Sequence, residues 1–144
     1  MNGSDRTPIH LWIVGVLATL WNAIGALDYV MTQTRNEQYL ANFTDPQRAY
    51  FESFPVWMEA AWALGVWGGL VGALLLLARS RHAVTAFIVS LAGLALSTIY
   101  QYVLSPPLPD MMTAGMLGLN IAIWVVAVGL LVYAHRMRAR GVLR

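Results

Sequence analysis

Four long apolar stretches, separated by short polar segments, dominate the hydrophobic pattern of the chain. They cover about residues 9–29, 55–78, 83–104 and 113–135. Each has about 20 residues, the length a helix needs to cross the roughly 30 Å hydrocarbon core of a bilayer. Lipid offers no hydrogen-bond partners to the backbone, so such stretches must be helical. The pattern predicts an all-α, four-helix transmembrane bundle, with residues 1–144 forming a single integral membrane domain.

The arginines lie mostly on one side of these predicted spans. Arg79 and Arg81 lie between the second and third spans, four more arginines follow the fourth span, and Arg6 precedes the first. Only Arg35 and Arg48 lie on the opposite side. Because Arg-rich loops stay in the cytoplasm, we expect both termini to be cytoplasmic. The segment between the first and second spans is then external.

This external segment is too long for a simple turn, and loops of its length are usually structured or functional. Thr44 is suited to be a helix N-cap, Pro46 to the first turn, and Gln47 to complete a capping box. Aromatic residues at positions 50, 54 and 57 continue at helical spacing. We predict a structured external loop with a short interfacial helix leading into the second span. Residues 105–110 contain three prolines, which predict a rigid extended turn.

Small residues form a stripe along each predicted span. Helices in lipid pack through such residues, because the bilayer provides no hydrophobic driving force between them. On the second span we assign helix packing to Ala61, Gly65, Gly68 and Gly72. The corresponding stripes on the first, third and fourth spans are Gly15, Ala18, Asn22, Ala26 and Tyr29; Ser90, Gly93, Ser97 and Gln101; and Gly115, Gly118, Ala122 and Gly129.

Polar side chains are concentrated in the external halves of the spans, whereas the cytoplasmic halves are almost purely aliphatic. This distribution predicts a pocket that opens to the external side, beneath the long loop. Asp28 and Glu59 either pair with Arg35 or Arg48 to hold the loop, contact a ligand or partner directly, or couple to protons. The candidate ligand- or partner-binding residues are Asn22, Asp28, Tyr29, Arg35, Arg48, Glu59, Gln101 and Asn120.

Composition narrows the function further. Hydrophobic residues make up 58% of the chain and charged residues 11%, too few charges to cover a water-soluble surface. There are no cysteines, which excludes disulfides and thiolate metal sites. The net charge of +2 is too small to favour a nucleic acid partner. No nucleophile or metal-binding motif accompanies the acids, so we predict no catalytic residues, no metal and no cofactor.

Several segments resemble a family of small, uncharacterised four-span bacterial inner-membrane proteins. These segments are WNAIGALDY (21–29), TQTR (32–35), AYF (49–51) and WALGVWGG (62–69). Members of that family are often labelled sugar transporters by automatic transfer, but no sugar-site pattern is visible here. A weaker likeness, through Glu59, the glycine-rich run after it and the Arg79–Arg81 loop, is to DoxX-like four-helix membrane proteins.

Two functions follow from these observations. The first is a non-enzymatic accessory or assembly protein of the bacterial inner membrane, which binds lipid or a partner through its outward-facing polar face. The second is a small transporter of a sugar or other solute, which would work as an oligomer because four helices rarely enclose a complete path. The expected partners are membrane lipids and either a larger membrane complex or further copies of the chain.

Overall fold

The structure, a computed structural model, describes residues 7–144; Arg6 lies outside this range. Four long helices form the bundle and two short helices lie in the loop between the first two of them. The four long helices are apolar enough to cross a membrane, which confirms the predicted all-α transmembrane bundle. The helices are α1 (Ile9–Gln33), α2 (Glu37–Leu40), α3 (Asp45–Glu52), α4 (Val56–Leu77), α5 (Ala83–Ile99) and α6 (Ala114–Ala139).

The ends of the bundle differ in character. Residues 34–55 and 105–113 form one end, which we call the loop end. Residues 78–82 and 140–144 form the other, which we call the tail end. Four spans, an even number, place Thr7 and Arg144, the first and last residues described, at the same end of the bundle.

The loop begins as the sequence predicts. The Thr44 hydroxyl accepts a hydrogen bond from the Gln47 backbone, and the Gln47 side chain accepts one from the Thr44 backbone. This capping box starts α3. The helix does not run on into the second span, however. It ends at Glu52, because a residue preceding a proline disfavours the helical conformation and Pro55 is the N-cap of α4.

The third span ends differently from the simple helix expected. After Ile99 the backbone continues as a π-helical turn, Tyr100–Leu104, a local widening that is frequent at functional sites. The following proline segment is extended at Leu108 but forms a 3-10 turn over Pro109–Met111. Proline is tolerated there because its fixed φ suits the first position of a helical turn.

Helix α4 packs between α1 and α5, and α6 packs on α5. The tightest seam joins α4 and α5, where small residues let the two backbones approach closely. A Cβ added at Gly68 would lie 3.1 Å from the Ser90 backbone nitrogen. The Ser90 hydroxyl donates a 2.6 Å hydrogen bond to the Gly65 carbonyl. Ala61 and Gly72, the other two residues assigned to packing, also face α5, near Gly93 and the Phe87 ring.

The tail end contains the main apolar core. Leu11, Leu76, Phe87 and Met137, from all four long helices, are buried together there with the chain segment after α6. The same end is held by backbone hydrogen bonds between Arg144 and both Arg79 and Arg81. Within residues 7–144 these buried side chains fill the centre of the tail end.

The fourth span departs from the expected packing. A Cβ added at Gly118 or Gly129 would meet no atom within 4 Å, so these glycines do not form a seam within the chain. Helix α6 contacts α1 through a 2.6 Å hydrogen bond between the His10 ring and the Tyr133 hydroxyl. Among residues 7–144, Gly118 and Gly129 of the predicted α6 stripe therefore pack against no other helix.

Candidate functional site

A cavity of about 280 Å³ lies at the loop end, between the end of α1, the two loop helices and the start of α4. Its lining includes Gln33 in the last turn of α1 and Glu59 in the first turn of α4, so the cavity sits at the ends of two candidate membrane spans. The lining residues are Thr32, Gln33, Arg35, Leu40, Arg48, Phe51, Glu52, Glu59 and Trp62.

Opposite charges share this cavity. Two arginines, Arg35 and Arg48, and two glutamates, Glu52 and Glu59, line it, so the formal charges of the lining cancel. Arg48 and Glu59 are half-buried, whereas Arg35 and Glu52 are exposed. The Arg48 Nε donates a 2.9 Å hydrogen bond to the Leu40 carbonyl, which fixes the base of the guanidinium between α2 and α3.

Arg35 enters the cavity from an unusual backbone conformation. It follows the C-cap of α1, Thr34, and has a φ of +54°. A left-handed residue often ends a helix, but glycine usually occupies that position. An arginine there costs roughly 1 kcal/mol or more. In this chain the strained position ends α1 and places an arginine side chain on the cavity wall.

Asp28 has a different partner from either loop arginine. Its carboxylate accepts a hydrogen bond from the Tyr39 hydroxyl, which joins α1 to α2. Asp28 therefore holds the loop through a tyrosine. Of the two acids considered for pairing with Arg35 or Arg48, only Glu59 shares a cavity with them.

An aromatic cluster forms the wall between the cavity and the bundle. Trp62 lines the cavity and packs edge-to-face against Tyr29 with ring centroids 4.9 Å apart. Phe54 contacts Trp62 and Tyr100 in the same manner. Such pairs each contribute about 0.5–1.5 kcal/mol beyond their buried area. Tyr29, a predicted site residue, thus lies behind the cavity and supports its wall.

The loop helix α3 is attached to the far side of the loop end. The Tyr50 hydroxyl donates a 2.8 Å hydrogen bond to the Ser105 carbonyl, and the Gln47 amide donates one of 2.9 Å to the Asp110 carboxylate. Burial, with the nearby tyrosines Tyr100 and Tyr102, raises the pKa of Tyr50 to about 12. The hydroxyl therefore keeps its donor proton through the physiological range.

Three other predicted residues lie outside the cavity. Asn22 donates to the Ala18 carbonyl at 2.8 Å and faces Gly69 at the seam between α1 and α4. Asn120 donates to the Tyr102 hydroxyl at 2.9 Å, in a groove between α5 and α6. Gln101 is half-buried in the π-helical turn. The structure thus brings together Arg35, Arg48 and Glu59 and leaves these three apart.

The cavity also contains residues that the sequence analysis did not select. Glu52 follows Arg48 by four positions and Phe51 follows it by three, so all three share one face of α3. With α3 correctly started at Thr44, this spacing was available in the sequence. Trp62 lies one turn after Glu59 on α4, by the same logic. Counting one helical turn onward from Arg48 and from Glu59, both already selected, identifies these residues.

The cavity combines charged and aromatic groups. It supplies guanidinium donors, carboxylate acceptors and an aromatic face, and within residues 7–144 no group of three or more His, Asp or Glu side chains is placed to hold a metal ion. Comparisons of the chain with protein-family models, with curated proteins and with solved structures find no match.

Proposed function

We propose that this membrane protein is a non-enzymatic accessory or assembly protein that binds lipid or a partner through its loop end. One observation carries the proposal: two arginines and two glutamates line a 280 Å³ cavity at the loop end. Charged groups at a membrane boundary are expensive to bury and are kept where they bind something or hold a structure. Asp28 and Tyr39 already hold the loop, which leaves the cavity charges available for binding.

We further propose that the loop end faces outward from a bacterial inner membrane. The positive-inside rule supports this orientation, since the tail end and the adjoining last turn of α6 together carry six of the nine arginines. The resemblance to small four-span inner-membrane proteins is in line with this location.

The packed tail end favours binding over transport. A transporter needs alternating access to both sides of the membrane, and the four long helices bury Leu11, Leu76, Phe87 and Met137 across the tail end. A single copy of the chain would have to separate this core to pass a solute. A binding protein requires no such movement.

A small oligomeric transporter remains the second candidate, and one observation favours it. Gly118 and Gly129 on α6 have no neighbour for an added Cβ, although small residues on a membrane helix commonly serve close packing. A second copy docking on α6 would use them. The oligomer could then enclose a path that one chain lacks.

The test is purification from native membranes in nanodiscs, followed by identification of the proteins and lipids that copurify. Wild type is compared with the double variant Arg48→Gln/Glu59→Gln and with a control, Arg81→Gln, at the tail end. We expect the control to retain the wild-type partners and the double variant to lose at least one. Identical partners for all three proteins would contradict binding at the cavity. A defined oligomer with solute uptake in vesicles would favour the second candidate.

A further inference from the structure

We infer that the cavity recognises a phosphoethanolamine group, in which a phosphate is joined through two carbons to a primary ammonium. This inference rests on the proposed function and names the ligand chemistry of the same site. It follows from the balance of charges in the lining, from their type and from the position of the cavity in the membrane.

The equal numbers of positive and negative side chains in the lining favour a ligand that carries both charges. A simple anion attracted to Arg35 and Arg48 would also meet the two glutamates, and a simple cation would meet the two arginines. A ligand that carries both charges satisfies both sets. Because the half-buried Arg48 and Glu59 are screened less by water than exposed charges are, this pair is expected to contribute most.

The two arginines suit a phosphate. A guanidinium presents several N–H donors in a planar fork that matches phosphate oxygens, and such charge-assisted hydrogen bonds are about twice as strong as neutral ones. Arg48 is oriented by its hydrogen bond to the Leu40 carbonyl, and Arg35 joins it in the cavity lining from the end of α1. Two guanidinium groups from different elements can bind one tetrahedral group.

The two glutamates of the lining suit a primary ammonium. An ammonium has three N–H donors, and the carboxylates of Glu52 and Glu59 are acceptors. The half-buried Trp62 provides an aromatic face within the same cavity, and tryptophan is the strongest cation–π partner among the aromatic side chains. A quaternary ammonium would keep the cation–π contact but could donate no hydrogen bond to the glutamates.

Size and position support the assignment. The cavity volume of about 280 Å³ is just below the usual range for sites of drug-sized ligands, about 300–1,000 Å³, so it suits a small polar group. It lies between the last turn of α1 and the first turn of α4, the level at which phospholipid headgroups lie. The group can therefore come from phosphatidylethanolamine or from a soluble phosphoethanolamine ester.

The test measures binding of defined lipids to the purified protein by native mass spectrometry. Phosphatidylethanolamine is compared with phosphatidylcholine, which lacks the N–H donors, and with phosphatidylglycerol, which lacks the cation. We expect wild type to bind phosphatidylethanolamine most tightly. We expect Glu59→Gln to raise its dissociation constant about tenfold, as for loss of one charge-assisted hydrogen bond, and to leave phosphatidylglycerol binding unweakened. Arg48→Gln should weaken all three lipids.

Two further measurements complete the experiment. Arg81→Gln, at the tail end, is the matched control and should bind as wild type does. Glycerophosphoethanolamine is added as a soluble competitor: displacement of the lipid at equimolar concentration indicates a soluble ligand, and displacement only at large excess indicates the lipid itself, whose acyl chains then add to the affinity. The melting temperature of each variant without lipid identifies any variant that fails to fold; Glu52→Gln then replaces Glu59→Gln, and Arg35→Gln replaces Arg48→Gln.

Equal affinity of wild type for the three lipids would overturn the inference, as would a phosphatidylethanolamine preference that survives both Glu59→Gln and Arg48→Gln. These results are distinguishable from failure of the proposed function. If copurification of a partner still depends on the cavity residues while the lipid preference is absent, only the ligand assignment is wrong. If neither depends on them, the proposed function fails as well.

Discussion

Replacing Gly93 with alanine tests the packing of α4 against α5 directly. A Cβ at this position would lie 2.5 Å from the Ala61 carbonyl oxygen and 2.6 Å from the Gly65 nitrogen. Both are backbone atoms of α4, which cannot rotate away as a side chain would. Ordinary contact begins at 3.4 Å, so the two helices must separate by about 1 Å at their crossing to reach normal carbon contact distances.

The expected loss of stability is the cost of the clash and of the stretched hydrogen bond, less the gain in helix propensity. Overpacking of a well-packed core costs about 1–3 kcal/mol, and a clash with rigid backbone belongs at the upper end of that range. The separation also stretches the 2.6 Å hydrogen bond from Ser90 to Gly65. Against this, alanine favours helix over glycine by about 1 kcal/mol. Gly129→Ala is the matched control because it has the same propensity gain and meets no atom within 4 Å.

The assay is reversible unfolding in mixed detergent micelles, followed by far-ultraviolet circular dichroism. We expect Gly129→Ala to be at least as stable as wild type. We expect Gly93→Ala to be about 2–3 kcal/mol less stable than Gly129→Ala, a difference that isolates the clash from the helix propensity. Equal stability of the two alanine variants would refute the close approach of α4 and α5 at this residue.

Three further outcomes are expected. Reporter fusions at Gln38 and at Arg81 should report the external side and the cytoplasm, respectively; a cytoplasmic signal at Gln38 would reverse the orientation. Tyr39→Phe removes the hydrogen bond that joins α1 to α2, and Asp28→Asn replaces its charged acceptor with a weaker neutral one. Both should increase protease cutting of the loop, Tyr39→Phe more strongly; unchanged cutting in both would show that the bond does not hold the loop. The pKa of the Tyr50 hydroxyl is raised from its ordinary value of 10.0 to about 12 while the loop is attached. The stabilisation of the attached loop by this hydroxyl is therefore fully present below pH 10 and is lost as the pH rises through about 12. Hydrogen exchange of the loop amides should show this loss. If the loop of a Tyr50→Phe protein detached over the same pH range, another group would be responsible.

The span pattern was readable from the sequence because a membrane-crossing helix must be continuous and apolar. The start of α3 was readable as well, since the Thr44 capping box is a local interaction between residues three positions apart. The same local reasoning failed at the end of the third span. The π-helical turn at Tyr100–Leu104 has no distinctive residue pattern, and the prolines that follow it were expected to be extended throughout.

Long-range pairing was harder to derive. From the sequence, Asp28 and Glu59 lie at similar depth and the loop arginines lie between them, but nothing in the pattern favours the Tyr39 hydroxyl as the partner of Asp28. Likewise, the glycines of α4 and α6 form similar stripes, yet only those of α4 meet another helix of the chain. Periodicity identifies a face of a helix but does not say which neighbour, if any, lies against it.

Photo-crosslinking in living cells tests binding at the cavity most directly. A photoreactive amino acid is placed at Gln33, which is exposed and lines the cavity, and at Thr85, which is exposed near the tail end. Irradiation is followed by mass spectrometry of the adducts. The account predicts a defined lipid or protein adduct at Gln33, lost in the Arg48→Gln/Glu59→Gln background, and only bulk lipid adducts at Thr85. The same adducts at both positions, or a Gln33 adduct indifferent to the cavity charges, would contradict it.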